Sequence, residues 1–352
     1  MVTGEKDTYD TKLVQDQTHA GRSVLQLSIA LSDNPRTRPI LDGRVPVEGI
    51  RLVPTTCHPS EMFWRQLRYG DFDISEMSMS TLSIATTLGK RDWVGIPIYT
   101  FRTFFHTQCI VTTASGIQKP EDLKGKRVGV PEFQQTAAIW ARGALEHEFG
   151  VKTSDMKWFM ERNPDKSHGT STGFKPPPGV SVEQIPPTSS IGEMLVKGEL
   201  DACVHYITDA NLVDRSRVDI SKEPGIKYLF PDRAAEAKRY YEKTGIFPIN
   251  HIMVLKRALY EKHPWVALNI YSAFVKAKEL VRKDAAPWID INSQVGALDA
   301  AAQAALSRDV MPYGLKSSRH VLETVTQYVH EQGLASRRAK LEEIFAENTL
   351  DL

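Results

Sequence analysis

Arg36, Arg38, Glu76, His106 and His251 are the side chains in this 352-residue sequence best suited to holding an anion and moving a proton. Arg36 and Arg38 are separated by a single residue, Thr37. In an extended segment alternate residues share a face, so both guanidinium groups can fork onto one carboxylate through paired charge-assisted hydrogen bonds. Their plainer role is that of solvated surface residues. Glu76 and Ser78 fall at the end of a strand, at the sheet edge where ligands bind. There Glu76 can orient a histidine, accept a phenolic proton or ligate a metal, or it can simply satisfy backbone N–H groups at a helix start. Arg102 and His106 are four residues apart among Phe101, Phe104 and Phe105, which suits the wall of an aromatic-ligand site. His251 follows Phe247-Pro248-Ile249-Asn250 much later in the chain.

A second anion signal lies in Pro120–Trp140, PEDLKGKRVGVPEFQQTAAIW. Lys126–Val130 alternates basic and apolar residues and stops at Pro131, as a buried strand does. Ala137, Trp140, Ala141, Ala144 and Leu145 then fall at helical spacing, closed by Gly150. The junction carries Glu132, Gln135 and Thr136. Backbone N–H groups at a helix start attract anions, and open α/β sheets bind ligands beyond their strand ends. The junction therefore predicts a small anionic ligand, with Thr136 alternatively serving only as an N-cap.

The elements that must position these residues alternate between strands and helices. Residues 1–23 read as a flexible extension. Strands are expected at Val24–Leu31, Ile50–Val53, Asp73–Met77, Trp93–Ile98 and Gln108–Thr113. A helix runs from Pro59 to Gly70. Beyond a crossover near residue 111, further strands are expected at Lys157–Met160, Val180–Ile185 and Asp201–Ile207. A capped helix starts at Ser190 and ends at Gly198. Residues 163–179 form a long polar loop, a common place for lids and binding loops. The chain returns near Phe247–Leu255. Helices follow at Trp265–Val281, Ser318–His330 and Ala335–Phe345. The organisation is thus α/β and two-lobed: residues 24–110 and 248–352 form lobe 1, residues 111–247 form lobe 2, and the crossovers place His106 and His251 at one cleft.

Composition narrows the function. A net charge of +1 with no long basic run argues against nucleic-acid binding. Three widely spaced cysteines make neither a metal pair nor a disulfide framework and suit a reducing compartment. The first 22 residues lack an apolar core like that of a signal peptide, and no stretch of about 18 apolar residues exists, so no membrane span and a cytoplasmic location are expected. His19, His58, His147, His168, His263, His320 and His330 show no consistent metal spacing. A metal site composed from Glu76, His106 and His251 stays open, because ligands need only meet in space.

The turn before Lys126–Val130 resembles the second lobe of type 2 periplasmic-binding-protein folds. Other stretches sharpen the likeness: Asn34-Pro35-Arg36-Thr37-Arg38-Pro39, Leu41-Asp42-Gly43-Arg44-Val45, Phe72–Ser78, Phe101-Arg102 with Phe105-His106, Thr244–His251 and His263-Pro264-Trp265-Val266. In this order, from Leu25 onward, they resemble the 4,5-dihydroxyphthalate decarboxylase family. The resemblance implies loss of CO2 from a hydroxylated aromatic dicarboxylate without a cofactor. His251 would protonate the ring, and His106 or Glu76 would serve the phenol. Arg36, Arg38, Asn34, Ser78, Arg102, Phe105, Glu132, Gln135 and Thr136 would bind substrate. His205–Ala210 departs from the family pattern, which points to a different benzoate if that loop lines the pocket. A homo-oligomer is compatible with the aromatic-rich C-terminal helices. The alternatives are a solute-binding protein for an aromatic carboxylate and a pyrimidine-forming enzyme of the same fold. The latter calls for a cysteine- or histidine-rich iron site that the sequence does not display.

Overall fold

The computed structural model describes residues 11–16 and 22–352. Two six-stranded sheets organise it. The first is built from β1 (Lys12–Asp16), β2 (Arg22–Leu31), β3 (Ile50–Thr56), β4 (Ile74–Ser78) and β5 (Trp93–Arg102), with α1 (Arg38–Leu41), α2 (Pro59–Tyr69) and α3 (Met79–Thr87) between them. Strand β1 pairs antiparallel with β2 inside the span expected as a flexible extension. Residues 1–10 and 17–21 of that span lie outside the described residues.

The chain then enters the second sheet through β6 (Ile110–Thr112), β7 (Arg127–Val130), α4 (Thr136–Phe149), β8 (Lys157–Met160), α5 (His168–Thr172), β9 (Ser181–Gln184), α6 (Ile191–Val196), β10 (Ala202–Cys203), β11 (Ile226–Tyr228) and α7 (Arg233–Thr244). It returns as β12 (Ile249–Lys256), which inserts antiparallel between β4 and β5. The C-terminal part adds α8 (Arg257–Lys262), α9 (Trp265–Gln294), α10 (Ala300–Leu306), α11 (Leu315–Glu331) and α12 (Leu341–Ile344).

Local chemistry explains most boundaries. Helix α2 opens with proline at its first position, where no N–H is needed, and closes on Gly70 in the left-handed region at φ 62°. Gly150 closes α4 in the same way. Two expectations fail. Asp201–Ile207 yields only a two-residue strand, because the backbone turns left-handed at His205 (φ 62°) and leaves the sheet. Ala335–Phe345 yields only the four-residue α12. Its Ser336-Arg337-Arg338 stretch instead makes ion pairs and hydrogen bonds to Glu343, Glu323 and Thr326.

Helix α11 ties the lobes together, touching α3 of the first and α4 of the second. The Trp140 and Tyr328 rings meet edge to face at 5.5 Å, and Trp140 Nε1 donates to Ile249 O. The close approach depends on Gly143, where an added Cβ would lie 2.1 Å from the Tyr328 ring. Gly143→Ala gains helix propensity of about 1 kcal/mol but overpacks this contact, which costs about 1–3 kcal/mol. A thermal melt is therefore expected to show a lower Tm; a rise would contradict the packing.

Candidate active site

A cleft of about 420 Å³ opens at the edge of both sheets. From the first it takes Ser32 and Asn34 just past β2, His58 and Ser60 past β3, Ser78 at the end of β4, Phe101 near the end of β5, and His251 at the start of β12. From the second it takes Gln135 and Thr136 past β7, Arg162 past β8, and His205 and Tyr206 past β10. This is the edge where open α/β sheets bind ligands.

At its floor stands a carboxylate–imidazole pair. In the β4–β12 register His251 lies opposite Ser78, so Glu76, two residues along, is its diagonal neighbour on the same face. Glu76 Oε2 accepts from His251 Nδ1 at 3.1 Å and from Thr100 Oγ1 at 2.6 Å. Oε1 accepts from the Ser32 amide and hydroxyl at 2.7 and 2.6 Å. Full burial alone would raise the Glu76 pKa, but the His251 and hydroxyl bonds outweigh it and hold the carboxyl below the usual glutamate range. With an ionised acceptor on Nδ1, that nitrogen carries a proton and Nε2 is the working atom. Nε2 meets the Asn250 amide nitrogen at 2.9 Å. Phe63 and Phe101 flank the imidazole at ring distances of 4.8 and 5.4 Å. Register shifts in β12 on both sides of His251 re-aim the side chain, a recurrent use of bulges beside functional sites.

Opposite this pair sits a charge that the sequence did not reveal. Arg162 is 2% exposed yet lines the cleft. Asp214 takes its Nε and Nη2 at 2.7 and 3.2 Å, and Ser60 Oγ takes Nη2 at 2.6 Å. His168 Nε2 lies 3.2 Å from Nη1. Because guanidinium only donates, His168 Nε2 accepts, and its Nδ1 proton points to Thr81 Oγ1 at 3.1 Å. Burial, reinforced by Arg162, holds the His168 pKa well below the usual imidazole value. The long loop 163–179 thus delivers an ordered neutral histidine to the cleft.

The α4 start presents backbone N–H groups with no side-chain cap. Beside it, Gln135 Nε2 is buried with no hydrogen-bond partner in the protein. Thr136 is not the N-cap; Gln135 holds that position. Instead the Thr136 hydroxyl bridges the lobes, 2.8 Å from Ser78 Oγ and accepting from the Ser80 amide at 3.0 Å.

Several sequence candidates lie elsewhere. Arg38 is exposed and forks onto Asp33. Arg36 Nη2 donates to Thr100 O rather than lining the cleft. Arg102 reaches Phe247 O, Pro312 O and Ser318 Oγ, and burial lowers its pKa to about 10. His106 pairs with Glu236 at 3.1 Å and packs on Tyr240, so it does not complete a site with Glu76 and His251. Phe105 is fully buried and backs Phe101 and His205 without lining the cleft. Glu132 accepts from the backbone of Gln134 and His168, holding the junction in shape. Among the described residues no group of three or more histidines, cysteines or acids could hold a metal ion. None of their helices is long and apolar enough to cross a membrane.

Comparison with known proteins settles the family. A 4,5-dihydroxyphthalate decarboxylase from Comamonas testosteroni is 35% identical over 338 residues, spanning 94% of this chain and 98% of the relative. The chain belongs to the 4,5-dihydroxyphthalate decarboxylase family. A decarboxylase of the same name from Pseudomonas putida is 35% identical over 62% of the chain and 81% of its own length. A family model described as NMT1/THI5 like matches residues 76–167, from Glu76 through β8 to the start of the long loop. The fold of this family member is that of periplasmic binding proteins. The aliphatic sulphonate binding protein SsuA from Escherichia coli superimposes with a TM-score of 0.53 at 14% identity, covering 92% of this chain and 98% of its own. A Candida albicans protein with the generic periplasmic binding fold gives 0.51 at 11%, covering 93% and 98%.

The Arg162–Asp214 pair generates a stability test. Asp214→Asn leaves a buried guanidinium without its counter-charge and is expected to cost about 3–5 kcal/mol in urea unfolding. Burial alone would raise the Asp214 pKa, but the Arg162 guanidinium outweighs it and holds the carboxyl below the usual aspartate range. A depressed carboxylate contributes stability that is present above its unfolded pKa and lost as pH falls through the folded one. Wild-type Tm should therefore drop as pH falls below about 4, and less steeply in Asp214→Asn. Parallel curves would contradict the assignment.

Proposed function

We propose that this cleft removes CO2 from 4,5-dihydroxyphthalate to give 3,4-dihydroxybenzoate. The observation that carries the reading is the Glu76–His251 pair, whose imidazole lies between two aromatic rings in a cleft that also holds the unpaired Gln135 amide. Each ring hydroxyl is para to one carboxylate. Ionisation of the hydroxyl para to the departing group, its proton passing to solvent water, pushes electron density to the carbon that bears that group. His251, its Nδ1 held by Glu76, takes up a proton at Nε2 in exchange for the Asn250 hydrogen bond and delivers it to that carbon. The C–CO2 bond breaks, its electrons return to the ring, and aromaticity is restored. The ring is its own electron sink, so the step needs no cofactor.

Substrate binding in this reading uses donors more than net charge. Arg162 lines the cleft but is balanced by Asp214. The α4 start, Gln135 Nε2 and Ser78 supply neutral donors for the retained carboxylate. A departing carboxylate left without a matched cation is freer to leave as neutral CO2, whereas a fork on both groups would stabilise the ground state. The carboxylate roles first assigned to Arg36 and Arg38 pass to these residues. Three thiols outside any disulfide suit a cytoplasmic setting.

The binding fold favours one rival, a carrier that holds an aromatic carboxylate without reacting. Chromatography after mixing purified protein with 4,5-dihydroxyphthalate separates the two. The decarboxylase forms 3,4-dihydroxybenzoate; tight binding with no product supports the carrier. His251→Ala is expected to lower kcat by about 10²–10⁴-fold, the usual share of a general acid. Gln135→Leu should instead raise KM with kcat changed little. Normal kcat in His251→Ala would remove it from the role.

A further inference from the structure

Among the described residues His205 is the sole non-glycine with positive φ, at 62°. Histidine tolerates the left-handed region better than most residues, yet a strained position in a cleft wall points to function. The turn lifts the chain out of the sheet after Cys203 and places the ring, with Tyr206, on the cleft. Two contacts fix the imidazole. Phe105 meets it edge-on at 5.5 Å. Gln108 Oε1 lies 3.2 Å from Nδ1, and Gln108 Nε2 donates to Thr103 Oγ1. With the amide oxygen facing Nδ1, the neutral ring carries its proton there and leaves Nε2 as an acceptor.

Resting on the decarboxylase reading, we infer that His205 recognises the ring hydroxyl para to the retained carboxylate, accepting its hydrogen bond at Nε2, and so sets which benzoates the cleft prefers. The other hydroxyl must surrender its proton for CO2 to leave, and His205 is poorly suited to receive it. Although the cleft reaches part of the ring, the surrounding protein desolvates it and holds its pKa at about 4, far below a phenol near 10. It can accept a hydrogen bond without removing the proton. His205 is thus a specificity residue, distinct from the acid at His251.

The test compares dissociation constants, which do not depend on turnover. In the product 3,4-dihydroxybenzoate the hydroxyl in question is at position 4; 3-hydroxybenzoate lacks it. Calorimetry on wild type should show the dihydroxy ligand bound about 5- to 100-fold more tightly, the range for a buried acceptor left unpaired. His205→Gly keeps the left-handed backbone and removes the ring, so the ratio should fall to about 1–2. His205→Asn tolerates the same backbone and offers an amide oxygen, so it should recover part of the preference. Retention of the full ratio in His205→Gly, or no preference in wild type, overturns the assignment. Failure of both benzoates to bind wild type overturns it together with the reading of the cleft. Binding with the expected ratios but no product in the chromatographic assay removes only the decarboxylase reading.

Discussion

The site depends on one buried anion. Glu76 is fully enclosed, and an isolated carboxylate there would cost several kcal/mol or take up a proton. Four donors from three places make it tolerable: the Ser32 amide and hydroxyl, the Thr100 hydroxyl and His251 Nδ1. Each donor belongs to a strand end, so the carboxylate fixes how β2, β5 and β12 meet around β4. The same bonds hold one imidazole tautomer and turn its other nitrogen to work. Fold and chemistry therefore share a constraint. Loss of the carboxylate would loosen the sheet edge and free the imidazole together.

Across the cleft, the second lobe repeats the logic with opposite sign. Arg162 is buried, and Asp214, Ser60 and His168 absorb its donors. Ser60 belongs to the first lobe, as do Ser78 and Ser80, which bond Thr136, and Thr81, which bonds His168. At the cleft the lobes thus meet through hydroxyls and one neutralised guanidinium, while behind it they share one apolar core in which Trp140 packs on Tyr328.

Much of this was legible in the sequence because its causes are local. Gly70 and Gly150 end helices for the reason that makes them readable, a left-handed terminal residue. The polar strand end at Glu76 and the return at His251 were also visible, since strand ends in such sheets face ligands. The arginine fork was misread for an equally local reason. Arg38 has Asp33 five residues away and takes it, and Arg36 finds a backbone carbonyl. Arg162 and His168 gave no signal, because Arg162's partners lie 52 and 102 residues distant and His168 sits in a polar loop. His205 interrupts what looked like a continuing strand; a histidine inside an apolar run was the only trace of the turn.

The account turns on where His251 keeps its protons. Nitrogen-15 NMR of histidine-labelled protein, with His251→Gln used to assign the signal, reads both ring nitrogens directly. Near neutral pH, Nδ1 should be protonated in the free protein, held by Glu76. Addition of 3,4-dihydroxybenzoate, which brings a negative charge into the cleft, should increase protonation at Nε2. An Nδ1 signal without a proton, or Nε2 unchanged at saturating ligand, would contradict the central claim.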